Sequence, residues 1–256
     1  MQSGIAIYDS SQLEYFDSQF RFERVEVPGE MLDECDKLLD FSSDKSVKLQ
    51  IRELLPRNIL SGLPESSPRV LRELLKLFES RCAAMEMCGI KITTLTPDLG
   101  RAAEDLRYAE KMRDILLCMR GIGARFGIEF FYELRLPENF ENALDITRTF
   151  LRSNTLASRL LIDFHPHEPH GFDAVSAAME KLAFLRDAWR ISFEVASRNY
   201  LSEDVVKKVM NLSCRMRNDE DFIIFAPGHG ADAEVFHQLA QLAVKCFNPG
   251  YGVENG

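Results

Sequence analysis

Short apolar runs alternate along this chain with longer stretches in which apolar residues return every three or four positions. Residues 4–9 (GIAIYD), 22–28 (FERVEVP), 47–54 (VKLQIREL), 90–98 (IKITTLTPD), 127–137 (GIEFFYELRLP), 158–164 (SRLLIDF), 189–197 (WRISFEVAS) and 221–230 (DFIIFAPGHG) are predicted as strands. They are rich in β-branched or aromatic residues or alternate with period two, and turn or breaker residues bound each of them. The stretches between them read as helices. In 68–88, Val70, Leu71, Leu74, Leu75, Phe78, Cys82 and Ala83 form one stripe. Pro68 suits a first helical turn, with Ser66 and Ser67 before it as caps. In 100–126, Ala103, Leu106, Ala109, Met112, Leu116 and Met119 form a second stripe, stopped by Gly127. Further helices are predicted at 139–153, 171–186, 202–217 and 231–246. The segment 54–68 (LLPRNILSGLPESSP) is the longest irregular stretch and reads as a lid-like loop.

Strand and helix in alternation imply a parallel sheet with right-handed crossovers. Eight such units in 256 residues match a (β/α)8 TIM barrel formed as a single domain over 1–256. The rival, an open doubly wound sheet, usually carries a glycine-rich turn after its first strand. Here that strand runs into YDSSQ, and neither GxGxxG nor GxxxxGK[ST] occurs.

Composition narrows the picture. Apolar residues make up 46%, an ordinary share for a globular protein. The net charge of −9, with no basic stripe, argues against a nucleic-acid partner. No apolar run approaches the roughly 18 residues of a membrane span. The opening MQSGIAIYDSSQ has no basic region and no long apolar core, so no secretion signal is expected there. Six cysteines (35, 82, 88, 118, 214 and 246) are scattered without a CxxC. They read as reduced, buried small hydrophobes of a cytoplasmic protein. A homo-oligomer is compatible with all of this.

In a barrel the chemistry projects from the C-terminal strand ends. Those ends carry Asp9, Glu26, Arg52, Glu53, Thr96, Asp98, Glu133, Arg135, Asp163, His165, His167, Glu194, Arg198 and His229. Carboxylates beside apolar strands must be paired or metal-bound to tolerate desolvation. One reading is a set of structural ion pairs, such as Glu133 with an arginine of a neighbouring strand. The other is a site. In DFHPHEPH (163–170), Asp and His one or three residues apart can reach one cation, and one of His165 or His167 is expected to point into the pocket. His170, beside Gly171, reads as an exposed loop residue. In FAPGHGADAEVF (225–236), Gly228 and Gly230 let backbone N–H groups approach an anion at a helix start, and a plain tight turn is the equal alternative. Arg52, Arg57, Arg135 and Arg198 could clamp a substrate anion or neutralise Glu26, Glu53, Glu133 and Glu194. There is no GxSxG, and no cysteine stands at a strand end.

With these residues in view, the order of parts resembles the xylose isomerase-like TIM-barrel family of sugar and sugar-phosphate isomerases and epimerases. FERVEVP is similar to that family's second strand, ending in Glu. The stretch from NILSGLPESSP to IKITTLTPD follows its loop, long helix and fourth strand. ARFGIEFFYEL resembles the fifth strand with its metal-binding Glu, here Glu133. RLLIDFHPHEPHG resembles the sixth with its Asp, here Asp163. APGHGADAEVF is similar to the final glycine-rich element. The resemblance implies a divalent metal (Mn, Mg or Zn) held by Glu133, Asp163, Glu194 and His229. Glu194 stands where the family usually has His, and His229 where it usually has Glu; the alternative for the last ligand is Glu254 in the terminal GYGVENG. It further implies Glu133 and Glu194 as the proton-transferring pair, and Arg52, Arg135, His165 and His167 as binding groups for a carbohydrate-like substrate. The different-class alternative is a catalytically degenerate barrel that binds a polar or anionic metabolite without metal. Phosphodiester cleavage, as in the family's endonuclease branch, fits the charge and the few histidines poorly.

Overall fold

Eight parallel strands close into a barrel in the order β1-β2-β3-β4-β5-β6-β7-β8, with β8 pairing back to β1, in this computed structural model. The structure describes residues 2–16, 22–135, 159–166, 171–173, 176–177, 186–193, 202–215, 222–228 and 230–247. The strands are β1 (Gln2–Ala6), β2 (Arg24–Pro28), β3 (Lys48–Arg52), β4 (Ile92–Leu95), β5 (Glu129–Arg135), β6 (Arg159–Phe164), β7 (Arg186–Ser192) and β8 (Phe222–Ala226). All eight predicted strands are present, and the fold is the expected (β/α)8 barrel.

The period-two alternation of the strands sorts their side chains into two layers. On one face of the strands, Val25, Val27, Ile51, Trp189 and Ile191 join the apolar shell between barrel and helices. Ala6, Phe131, Leu161, Phe222, Ile224 and Ala226 form a separate small cluster that plugs the barrel interior. Phe131 and Phe222 meet there edge to face, with ring centroids 5.4 Å apart. Above this plug the inward positions turn polar, and that change of chemistry sets the floor of the site.

The helices are α1 (Cys35–Lys45), α2 (Arg57–Gly62), α3 (Pro68–Met87), α4 (Leu99–Glu104), α5 (Leu106–Arg125), α6 (Glu203–Arg215) and α7 (Ala233–Phe247) among the described residues. Ser67 caps α3 by accepting the Val70 N–H, with Pro68 in the first turn as expected. Gly89 and Gly127, at φ +67° and +65°, take the left-handed turns after α3 and α5 that side chains with a Cβ disfavour. The helix predicted over 100–126 is interrupted at Asp105, whose carboxylate accepts the N–H groups of Arg107 and Tyr108 at 2.9 and 3.2 Å. That cap ends α4 and starts α5. The segment 54–68 is not a lid-like loop. It folds as α2 and a 3-10 turn, with Leu54, Leu55, Leu60 and Leu63 buried. Burial of that many leucines anchors it against opening. The helix expected at 139–153, most of that at 171–186, and His170 lie outside the described residues. No helix among the described residues is long and apolar enough to cross a membrane.

The expectation of six reduced cysteines is overturned for one pair. Cys35, at the start of α1, and Cys88, just past α3, form a disulfide with Cα atoms 5.8 Å apart. Cysteines 53 residues apart in sequence meet because the start of α1 lies beside the end of α3, a tertiary fact that spacing does not encode. Cross-linking a loop of that length stabilises a domain by about 2–4 kcal/mol, chiefly through the unfolded chain. Reductant, or Cys35→Ser, is therefore expected to lower Tm by on the order of 10 °C. Thermal melts with and without reductant check this, with the serine variant insensitive to reductant. The other two buried thiols, Cys82 and Cys246, are pushed up to about 12 by burial and are inert at neutral pH.

Candidate functional site

Above the apolar plug, five ionisable side chains from five different strands project into the barrel: Glu26 (β2), Arg52 (β3), Glu133 (β5), Asp163 (β6) and Arg190 (β7). Glu26, Glu133, Asp163 and Arg190 each stand between apolar or aromatic neighbours, and Arg52 follows Ile51, so strand pleating aims them inward. Arg190 lies at the centre. It is 1% exposed and donates through Nε to Glu26 Oε1 at 2.8 Å. Its Nη1 donates to Ser192 Oγ at 3.0 Å and approaches Asp163 Oδ1 at 3.5 Å. Its Nη2 donates to the Tyr8 hydroxyl at 3.2 Å. Asp163 and Arg190 are register partners on adjacent strands. Glu26 is reached across the barrel, three strands away.

Glu26 and Asp163 are thereby committed. The second oxygen of Glu26 accepts from Gln50 Nε2 at 3.1 Å. Asp163 Oδ1 accepts from Ser192 Oγ at 2.6 Å, and its Oδ2 lies 3.6 Å from His165 Nε2. Burial works to raise the Asp163 carboxyl, but the Arg190 guanidinium and the His165 and Ser192 hydrogen bonds outweigh it and hold the group at about 2. Burial likewise disfavours the Arg190 cation, and Glu26 and Asp163 more than reverse this, keeping it charged throughout.

Glu133 is different. It is 4% exposed, its Oε1 is 3.8 Å from Arg52 Nη2, and its Oε2 has no hydrogen-bond partner among the described residues. Desolvation first, and the charge of Asp163 second, push its carboxyl up to about 7. A charge count gives the reason. Two guanidiniums already balance Glu26 and Asp163, so ionising Glu133 leaves a net negative charge in a dry interior.

Arg52, Glu133, Asp163 and Arg190 line a cavity of about 470 Å³ at the strands' C-terminal ends, together with Tyr8, Glu53, Thr96 and His165, while Glu26 lies beneath it. Pro227 and Gly228, just past β8, also line it. The helix start that follows is already capped, since Asp232 Oδ1 accepts the Val235 N–H at 3.1 Å.

Among the residues proposed from sequence, Glu133, Asp163, Arg52 and His165 meet at this cavity. Glu194, His167 and His229 lie outside the described residues, as does the side chain of Arg135. The seventh strand differs from its expected span. It begins at Arg186 and ends at Ser192, so Glu194 stands beyond it. Its inward-facing residues are Arg190 and Ser192. The signal that points to Arg190 is the alternation Trp189-Arg190-Ile191-Ser192-Phe193, in which a lone cation sits between apolar residues of a strand.

The described residues do not fit the divalent metal that the family resemblance implies. Both oxygens of Glu26 and the Oδ1 of Asp163 are already taken by fixed donors. Glu133 keeps an oxygen, Oε2, with no hydrogen-bond partner among the described residues. No group of three His, Cys, Asp or Glu among the described residues converges to hold an ion. A dication beside these carboxylates would also face the guanidiniums of Arg52 and Arg190 across a medium that screens poorly.

No family model matches the chain, and no curated protein matches it in sequence. Solved structures do match. D-psicose 3-epimerase from Clostridium cellulolyticum H10 aligns with TM-score 0.63 at 10% identity, over 99% of this chain and 99% of that one. A D-tagatose 3-epimerase-like protein aligns with TM-score 0.66 at 14% identity, over 98% and 100%. A xylose isomerase domain protein from Planctomyces limnophilus aligns with TM-score 0.60 at 11% identity, over 96% and 98%. At such identities the likeness speaks for architecture: along nearly its whole length this chain has the barrel fold of xylose isomerase-like proteins.

Proposed function

We propose that this barrel, acting as one domain, catalyses isomerisation or epimerisation of a small polyhydroxylated carbonyl compound by proton transfer beside the carbonyl. The observation that carries the reading is Glu133: a buried carboxylate with an uncommitted Oε2, facing a polar cavity at the catalytic end of a barrel. As base, Glu133 takes the proton from the carbon next to the carbonyl. The C–H pair becomes a C=C bond while the carbonyl electrons move onto oxygen, giving an enediolate. Returning the proton to the neighbouring carbon, while the hydroxyl proton passes from the second oxygen to the first, isomerises the substrate; epimerisation needs a second acid that delivers a proton to the opposite face, the role proposed for Glu194. Arg52 sits within reach of the mouth and supplies a cationic donor for the developing oxyanion. Glu133's own value near neutrality suits a group that must both accept and return a proton. That three similar barrels bear the names of a 3-epimerase, a 3-epimerase-like protein and a xylose isomerase domain protein supports the substrate class. Metal dependence is left out of this reading, because no three His, Cys, Asp or Glu among the described residues converge on one ion.

A second reading keeps the cavity and drops the turnover: a barrel that binds a polar or anionic metabolite. The pairing of Arg190 with Glu26 and Asp163 favours it, since ion pairs of this kind also serve structure alone. The test is deuterium exchange. With a panel of ketoses and their phosphates in D2O, the isomerase reading expects solvent deuterium at the carbon beside the carbonyl, by NMR, in wild type and not in Glu133→Gln. Binding without exchange in any substrate of the panel sinks it. The rate should also follow Glu133, rising about tenfold per pH unit up to about 7 and flat above, since only the ionised carboxylate accepts a proton. A profile flat from pH 5 to 8 contradicts that role. A cytoplasmic setting is part of the proposal on composition alone, and the Cys35–Cys88 bond is the observation that counts against it.

A further inference from the structure

We propose that the guanidinium of Arg190 is the resident cation of this barrel, standing in the carboxylate cluster where a divalent ion would otherwise sit, and that the site takes up no divalent metal. The inference holds whether or not the barrel turns over a sugar.

Three features carry it. Arg190 is fully interior and every polar nitrogen of its head is engaged: Nε by Glu26, Nη1 by Ser192 with Asp163 close by, Nη2 by Tyr8. Its partners come from β2, β6, β7 and the segment just after β1, so closure of the whole barrel holds it in place. A guanidinium is planar, with its donors in a rigid fork, so these contacts fix its orientation as coordination would fix an ion. Of these partners, Asp163 is also one of the metal ligands that the family resemblance implies, and Glu26 is the carboxylate nearest to the guanidinium. Glu26 has both oxygens occupied, by Arg190 and Gln50. Asp163 has Oδ1 bonded to Ser192. An incoming ion would have to break charge-assisted bonds already made in a desolvated interior. Metal and arginine differ in consequence. An ion exchanges with solution and can be stripped by chelator, whereas Arg190 is covalently part of the chain.

Manganese titration of the purified full-length chain, followed by the EPR signal of free Mn2+ and without any substrate, tests this. Wild type is expected to show no stoichiometric uptake, and chelator treatment is expected to leave its thermal midpoint unchanged. Arg190→Ala, which opens the space and leaves three carboxylates around it, is expected to take up Mn2+ at least about tenfold more tightly than wild type. The single tryptophan, Trp189, is buried beside this position and reports by its fluorescence whether the variant is folded. One equivalent of Mn2+ bound by wild type overturns the inference, and so does a folded Arg190→Ala that takes up none. If that variant does not fold, the wild-type titration decides alone. Because no substrate is present, these outcomes are independent of whether the isomerase reading survives.

Discussion

Glu133→Gln is expected to lower turnover by about 10²–10⁴-fold, the range assigned to a positioned general base, and at the same time to stabilise the fold at alkaline pH. The two effects have one cause. Burial holds the Glu133 carboxyl at about 7, against an ordinary 4.5. Between those values the folded protein keeps a proton that the unfolded chain releases. Stability from this group is therefore fully present below the ordinary value and declines as pH rises towards 7. Above 7 the folded state carries a buried carboxylate whose Oε2 nothing satisfies among the described residues. Glutamine never ionises and escapes this penalty, a gain on the order of 2–3 kcal/mol at pH 8 that vanishes near pH 5. Asp163 runs in the opposite sense: its carboxyl is held at about 2, so its contribution is present above its ordinary value and is lost as pH falls through 2. Denaturant unfolding of both proteins at pH 5 and pH 8, beside the exchange assay, checks the pairing of effects. Retained activity within tenfold of wild type, or an equal stability change at both pH values, would remove Glu133 from its assigned role.

Replacing Arg190 by Met should destabilise the protein by about 3–5 kcal/mol, the usual result of removing one partner from a buried ion pair. Methionine fills comparable space, so little of the loss comes from a cavity. The loss comes from Glu26 and Asp163, which remain buried beside Glu133 without their counter-charge. The double variant Glu26→Gln with Arg190→Met should recover much of it, because one orphaned charge goes with the guanidinium and Asp163 keeps Ser192 and His165. Unfolding midpoints of the two single variants and the double give the coupling directly. A loss below about 1 kcal/mol in the single variant, with additive behaviour in the double, would mean that Arg190 is not held as the structure places it.

Much of the architecture was legible before the chain was folded. Eight apolar runs, each closed by a breaker, are a local signal, and so are Pro68 at a helix start and Gly127 at a helix end. Glu133 and Asp163 were legible because each is an acid in the alternation of an otherwise apolar strand. Arg190 carries the same signature between Trp189 and Ile191, but the apolar run 189–197 places Glu194 near a strand end, whereas the strand ends at Ser192. The interruption at Asp105, the folding of 54–68 into α2, and the meeting of Cys35 with Cys88 were not legible. Each depends on what a segment packs against, and that partner lies elsewhere in the chain.

By itself, then, the order of residues determined which positions face inward and which acids and bases stand near the strand ends, because pleat and helical period act over a few neighbouring residues. Which of those groups neutralise one another was decided only when the barrel closed. Glu26 and Arg190 are 164 positions apart and become partners through strand order and register. That closure left Asp163 anchored and Glu133 with an Oε2 that has no partner among the described residues, and so separated two carboxylates that look alike in the sequence.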